Sequence, residues 1–212
     1  MISSHYSMKA FFPGAHHRQR PLKCCWLILL MAFLTLIHPA PGFSSGNDTE
    51  LWNSLRSGNS LVLIRHAIAP GTGDPNHFRL GDCSTQRNLS AAGRSQAQAI
   101  GRQFRAHGIQ QAQVFSSQWC RCMETAELLE LGPVTELPEL NSFFQQYERR
   151  DLQTQHLKKW LKRATFDHPL VLVTHQVNIT ALTDFYPESG EMVIIKRSDS
   201  GEILVIGSIK TD

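Results

Sequence analysis

Acidic residues are absent from the first 42 positions of this 212-residue chain, a stretch that holds four cations, Lys9, Arg18, Arg20 and Lys23. With those four set apart from the 21 Lys and Arg, 17 basic residues face all 18 acidic ones, so the formal charge of +3 falls to −1 for the rest of the chain. A near-neutral body lacks the basic footprint of a nucleic-acid binder or a polybasic membrane surface. The sequence also has no apolar run of spanning length. Its longest, residues 24–37, is 14 residues, whereas a membrane helix needs about 20. Internal repeats, low-complexity tracts and Pro/Ser linkers are missing as well, which argues for a single domain.

What is there at the N-terminus is a basic segment, the apolar run and a small-residue exit containing Ala40 and Gly42, in the order of a secretory signal. Residues 1–42 are therefore expected to be a signal peptide, with Met8 a second candidate start, and residues 43–212 a domain delivered to the periplasm or secreted. Membrane attachment enters only if the signal stays uncleaved. Of five cysteines, Cys24 and Cys25 belong to the leader. The odd remainder, Cys83, Cys120 and Cys122, allows one disulfide of Cys83 with either of the other two. A zinc site is poorly supported, for there is neither a second Cys pair nor a His-x-x-x-His partner.

Along the body, apolar strands alternate with amphipathic helices. A short helix capped at Asn47, Asp48 or Thr49 ends at Gly58. The continuous apolar runs at 61–64 and 170–173 read as strands buried on both faces. Ser90 caps a helix bearing Ala97, Ile100, Gly101 and Phe104, closed by Gly108. A strand at 114–115, a helix over about 118–130, a strand at 134–140, a helix at 151–166 and a helix from about Val177 follow. The alternating segments 191–197 and 203–209 suggest a terminal hairpin. This order predicts a three-layer α/β/α sandwich with a mainly parallel sheet, whose chemistry collects at the carboxyl ends of the strands.

Arg65 and His66 stand just after the first of these strands, Ser116 and Ser117 after the second with Arg121 one turn further on, and Thr174-His175 after the fourth. An arginine at the end of a buried strand needs an anion. Guanidinium forks suit phosphoryl oxygens, a neutral imidazole is a competent nucleophile toward phosphorus, and a second imidazole can stabilise the transition state. Four segments extend the pattern: Leu-Ile-Arg65-His66-Ala67, Leu89-Ser90-Ala-Ala-Gly93-Arg-Ser-Gln96-Ala97, Ser117-Gln-Trp-Cys-Arg121-Cys-Met-Glu-Thr125-Ala126 and Val173-Thr174-His175. Together, in this order, they resemble the histidine phosphatase superfamily with its phosphoglycerate mutase-like fold, over essentially the whole body. Ala67 departs from the glycine usual after the Arg-His pair.

The resemblance implies phosphomonoester hydrolysis through a phosphohistidine on His66, without a metal or other cofactor. Arg65, Arg121 and His175 would bind the phosphate, and Arg87 matches an arginine that some members place before this helix. For the proton donor, Glu139 matches the mutase-like members, Asp74 is another option, and Gln176 stands where phytase-like members carry Asp. Glu139 equally fits a surface residue at a strand end. The expected partner is a small phosphorylated molecule, recognised from the loop at 67–89 and the segment at 141–150, with Phe143 and Phe144 facing substrate or core. A non-catalytic module that holds a phosphorylated ligand is the alternative. His77, His107, His156 and His168 fall in loops or at helix ends, and Lys158, Lys159, Lys162 and Arg163 fit one solvated helix face.

Overall fold

In a strand, a four-residue apolar run with no polar break points apolar side chains to both faces of the sheet and needs cover on both, and both such runs lie at its centre. The computed structural model describes residues 48–165, 168–198 and 202–211. The expected leader lies outside them. Strand β1 (Leu61–Arg65) pairs in parallel with β4 (Leu170–Thr174), Leu61 opposite Leu170 and Arg65 opposite Thr174. Parallel strands β2 (Gln113–Ser116) and β3 (Val134–Glu136) extend one side. Antiparallel β5 (Met192–Arg197) and β6 (Ile203–Ile209) extend the other, giving the order β3-β2-β4-β1-β5-β6. The sheet is thus mixed, with a parallel core of four strands and the expected hairpin at one edge.

The period-2 alternation of side chains sorts these strands into two cores. Val62, Ile64, Val171 and Val173 pack with residues of α1 (Asp48–Arg56), α2 (Ala91–Ala106) and α3 (Cys120–Leu128). Leu61, Leu63, Leu170 and Leu172 pack with α4 (Arg150–Arg163) and α5 (Gln176–Thr183). Helices therefore cover both faces, in the expected three layers. Lys158, Lys159, Lys162 and Arg163 lie exposed on α4, and His107 closes α2 by stacking on Trp52 at 4.4 Å.

Several boundaries differ from the sequence expectation. The strand expected over 134–140 stops at Glu136 and continues as a 3-10 turn, Pro138–Leu140, because Pro138 has no N–H to extend an edge ladder. Helix α3 is shorter than 118–130. Trp119 is extended at its start, and Glu130 takes a positive φ of 54° at its end. The helix expected over 151–166 runs from Arg150 to Arg163, and Phe166 lies outside the described residues. Among the described residues no helix is long and apolar enough to cross a membrane.

Candidate active site

Parallel register between β1 and β4 ends both strands at the same level, so His66 and His175, the next residue of each, face one another with ring centroids 5.5 Å apart. The segment after β1 is pinned by the residues that the sequence motifs single out. The Ala67 N–H donates to Thr125 Oγ1 at 3.1 Å and the Ile68 N–H to Gln96 Oε1 at 3.1 Å. Ser90 caps α2 by accepting from the Gly93 N–H and also donates to the Ile68 carbonyl. Gly93 is required there: a Cβ would lie 2.1 Å from that same carbonyl oxygen. The start of α2 thus holds the backbone one residue beyond His66–Ala67 by close contact.

Arg121, on the first turn of α3, reaches both histidines. Its Nε–H donates to His66 Nε2 at 3.3 Å and its Nη2 donates to His175 Nδ1 at 3.4 Å. The remaining ring nitrogens are satisfied elsewhere. His66 Nδ1 bonds the Ala67 carbonyl at 2.8 Å, which assigns its proton to Nδ1 and its lone pair to Nε2. His175 Nε2 lies 2.9 Å from Ser117 Oγ, which in turn donates to Asn141 Oδ1, so the ring carries its proton on Nε2. Burial and the Arg121 charge push His66 down to about 3. Burial, Arg121 and His66 likewise hold His175 well below the usual histidine range. Both rings are therefore neutral at physiological pH.

These groups line a cavity of about 170 Å³ together with Arg65, Arg87 and Asp74. Arg87 donates to the carbonyls of Gly73 and Ala69, and burial and the Arg121 charge bring it down to about 10. Arg65 donates to the Pro187 carbonyl, while its Nε is a buried donor with no protein partner. Asp74 closes a two-pronged ion pair with Arg121, at 2.6 Å and 3.1 Å. Burial works against its ionised form, yet the bonds from Arg121 and Trp119 hold its carboxyl below the usual range. Three cations, two neutral imidazoles and one carboxylate make a site for an oxyanion with a nucleophile beside it.

Arg65, His66, Arg87, Arg121 and His175 thus meet in one cavity, as does Asp74. Glu139 does not. It sits on the 3-10 turn after β3 and lines a separate groove with His156, Lys159, Trp160 and Arg163. The early end of β3 and the turn at Pro138 carry it away from the strand ends. The aromatic pair is divided: Phe143 is buried in the fold, whereas Phe144 lines the cavity. Asn141 and Gln145 fall in the 141–150 segment expected to recognise substrate but have no individual signal in the sequence, and Tyr186, in an irregular segment with no periodic or spacing signal, is not singled out by sequence at all. The disulfide joins Cys83 to Cys120 and leaves Cys122 buried and free, its thiol pushed up by burial to about 12. Among the described residues no cluster of three or more His, Cys, Asp and Glu is placed to hold a metal ion.

No curated protein matches the sequence. Among solved structures, the chain is similar in fold to the protein histidine phosphatase SixA complexed with tungstate, at 15% identity and a TM-score of 0.52, covering 71% of this chain and 96% of that one. It is also similar to phosphoserine phosphatase of Entamoeba histolytica in complex with 3-phosphoglyceric acid, at 14% identity and a TM-score of 0.53, covering 72% and 98%. A third similar structure is the mycobacterial glucosyl-3-phosphoglycerate phosphatase with VO3, at 18% identity and a TM-score of 0.52, covering 73% and 97%. The model of the histidine phosphatase superfamily (branch 1) matches residues 61–170, a span that includes Arg65, His66, Arg87 and Arg121 and stops short of His175. With more than half of its length matched, the chain belongs to the histidine phosphatase superfamily, branch 1, and is a phosphatase-class hydrolase.

Proposed function

We propose that the protein is an exported phosphatase that hydrolyses small phosphomonoesters through a phosphohistidine on His66. The observation that carries this reading is the fixed tautomer of His66: its Nδ1 is tied to the Ala67 carbonyl, and its Nε2 lone pair faces the Arg121 guanidinium. The same arrangement leaves a buried, unpartnered donor on Arg65.

In the proposed reaction His66 Nε2 attacks phosphorus, the bond from phosphorus to the ester oxygen breaks, and that oxygen takes up a proton. Water then attacks the phosphorus, the N–P bond breaks, and inorganic phosphate leaves with His66 restored. Arg65, Arg87 and Arg121 offset the charge on the equatorial oxygens. A bound dianion favours the protonated form of His175, whose Nδ1 then donates to a non-bridging oxygen while Ser117 holds Nε2. The guanidinium groups supply the neutralising charge, so the proposed chemistry uses no metal ion and no cofactor.

The small cavity suits a phosphoryl group and little more, with the rest of the substrate at the rim beside Phe144 and Tyr186, which are 36% and 71% exposed. A small phosphorylated substrate is supported by the ligands of proteins of similar fold, 3-phosphoglyceric acid, tungstate and VO3. Export is supported by the leader read from the sequence and by the Cys83–Cys120 disulfide, a bond that persists in oxidising compartments.

Incubation with a 32P-labelled monoester, quenched in alkaline detergent, is expected to trap acid-labile label on the wild-type protein and none on His66→Ala. Hydrolysis by His66→Ala at the wild-type rate would sink the assignment. Binding of phosphate without any trapped label on the wild type would point instead to a module that holds a phosphorylated ligand. Fractionation of cells carrying the tagged full chain tests export, and recovery in the cytosol with an intact leader overturns it.

A further inference from the structure

Among the described residues that line the cavity, Asp74 alone carries a carboxyl group, and it occupies the donor fork of Arg121. Its two oxygens meet Nη1 and Nη2 of Arg121 as two oxygens of a phosphoryl group would, with both side chains nearly buried at 7% and 3% exposure. The third nitrogen of that guanidinium, Nε, points its N–H to the lone pair of His66. The carboxylate therefore sits where a substrate anion needs to engage Arg121. Its backbone is fixed independently of this pair. The Asp74 N–H donates to Gln145 Oε1, and Gln145 Nε2 donates back to the Asp74 carbonyl. Only the side chain has to turn for the fork to be released.

We propose that Asp74 holds the fork of Arg121 in the resting enzyme, yields it to the incoming phosphoryl group, and then acts as the acid that protonates the leaving oxygen. This rests on the reading of His66 as nucleophile. Once displaced, the carboxylate keeps its burial, loses two charge-assisted bonds and gains a dianion as neighbour, so it takes up a proton from solvent. The groups facing it are Arg121 with the Cys122 thiol behind on α3, the Trp119 indole N–H at the helix start, the Arg87 guanidinium and main chain, and the Gln145 amide. Beyond Arg121 lie the His66 and His175 rings. As the bond from phosphorus to the ester oxygen breaks, that oxygen takes the Asp74 proton and leaves as an alcohol. The carboxylate then accepts a proton from the attacking water, which gives HPO4²⁻ and restores the lone pair on His66 Nε2. When phosphate departs, Asp74 releases this proton to solvent and returns to Arg121.

Asp74→Asn keeps the side-chain shape and an oxygen for the Trp119 N–H. Two measurements on it are decisive: the single-turnover rate of His66 phosphorylation by phenyl phosphate and by 4-nitrophenyl phosphate, and the inhibition constant of inorganic phosphate. The phenyl phosphate rate is expected to fall by about 10²-fold or more, the 4-nitrophenyl phosphate rate by less than about tenfold, since nitrophenolate leaves without a proton. Inorganic phosphate should bind at least as tightly as to wild type, its competitor for Arg121 being gone. Equal losses on both esters, or weaker phosphate binding, would show that Asp74 only positions Arg121 and overturn the proposal. A second test needs no variant. Across a series of substituted phenyl phosphates the wild-type phosphorylation rate should depend only weakly on the leaving group, and a steep dependence counts against an acid in the site. Failure of the His66 reading itself looks different, because no label would then appear on the wild-type histidine at all.

Discussion

Ser117 links the two ends of a short relay: it accepts from His175 Nε2 and donates to Asn141 Oδ1, which also accepts the Gln118 N–H. What this relay determines is where the proton of a neutral imidazole resides, and hence which nitrogen faces Arg121. Ser117→Ala removes the bonds to Asn141 and from the Trp119 N–H along with the one that orients His175, and with that last bond alone worth about 1 kcal/mol, kcat/KM is expected to fall roughly five- to tenfold, Ser117→Thr recovering most of it. Steady-state kinetics on folded protein check this. An unchanged kcat/KM would mean that packing, such as the Cys122 sulfur 3.4 Å from Nε2, orients the ring without the serine. The members of this relay differ in how readable they are. Ser117 and His175 follow apolar strands and stand out in the sequence, whereas Asn141 is 24 residues from Ser117 and meets it only because the chain turns at Pro138.

The long loop between β1 and α2 is held as an element at both of its functional points. Asp74 and Arg87 bond to α3 and to the loop's own carbonyls, and the Cys83–Cys120 disulfide joins the loop to the first residue of α3, next to Arg121. Closing a 37-residue separation in the unfolded chain corresponds to roughly 4 kcal/mol of stabilisation in the chain-entropy view. Cys83→Ser is therefore expected to lower the melting temperature markedly. It should also raise KM more than it lowers kcat, because the groups that bind the anion loosen while His66 stays fixed at the end of β1. Thermal melts and kinetics with and without reductant read both effects, and a variant with wild-type KM would place the loop's order in its hydrogen bonds alone. The sequence left Cys120 and Cys122 as equal partners for Cys83, since only the course of the loop brings one sulfur within reach and buries the other. Glu139 shows the same limit from the other side: its local context matches a motif, but the strand before it ends too early.

At the scale of the molecule, the central strands, the helices on both faces and the edge hairpin were legible, because apolar run length and period are local properties of the sequence. Placement of two neutral imidazoles in the interior has a global effect that no local pattern reveals. Both rings have folded-state pKa values below the unfolded value of 6.5, near 3 for His66, so below pH 6.5 the unfolded chain binds protons that the native protein does not. Their contribution is complete above that pH and is lost as pH falls below it, down to about 3 for His66, at up to about 1.4 kcal/mol per pH unit for each ring. Asp74, depressed instead from the carboxylate value, adds its loss only at lower pH. Urea midpoints measured between pH 7.5 and 5 should decline accordingly, and a flat profile would show that the rings already share protons in the native state. If the proposed function holds, the cavity that contains these rings is expected to favour monoesters over diesters. Its lining brings together three guanidinium groups, two imidazoles and the Asp74 carboxylate, and the exposed aromatic side chains Phe144 and Tyr186 lie at the rim. A terminal phosphoryl group meets it with three free oxygens and two charges. A phosphodiester would have one charge and a second carbon substituent to bury among donors that it cannot satisfy, and so, on the proposed chemistry, diesters are expected to be hydrolysed far more slowly than monoesters.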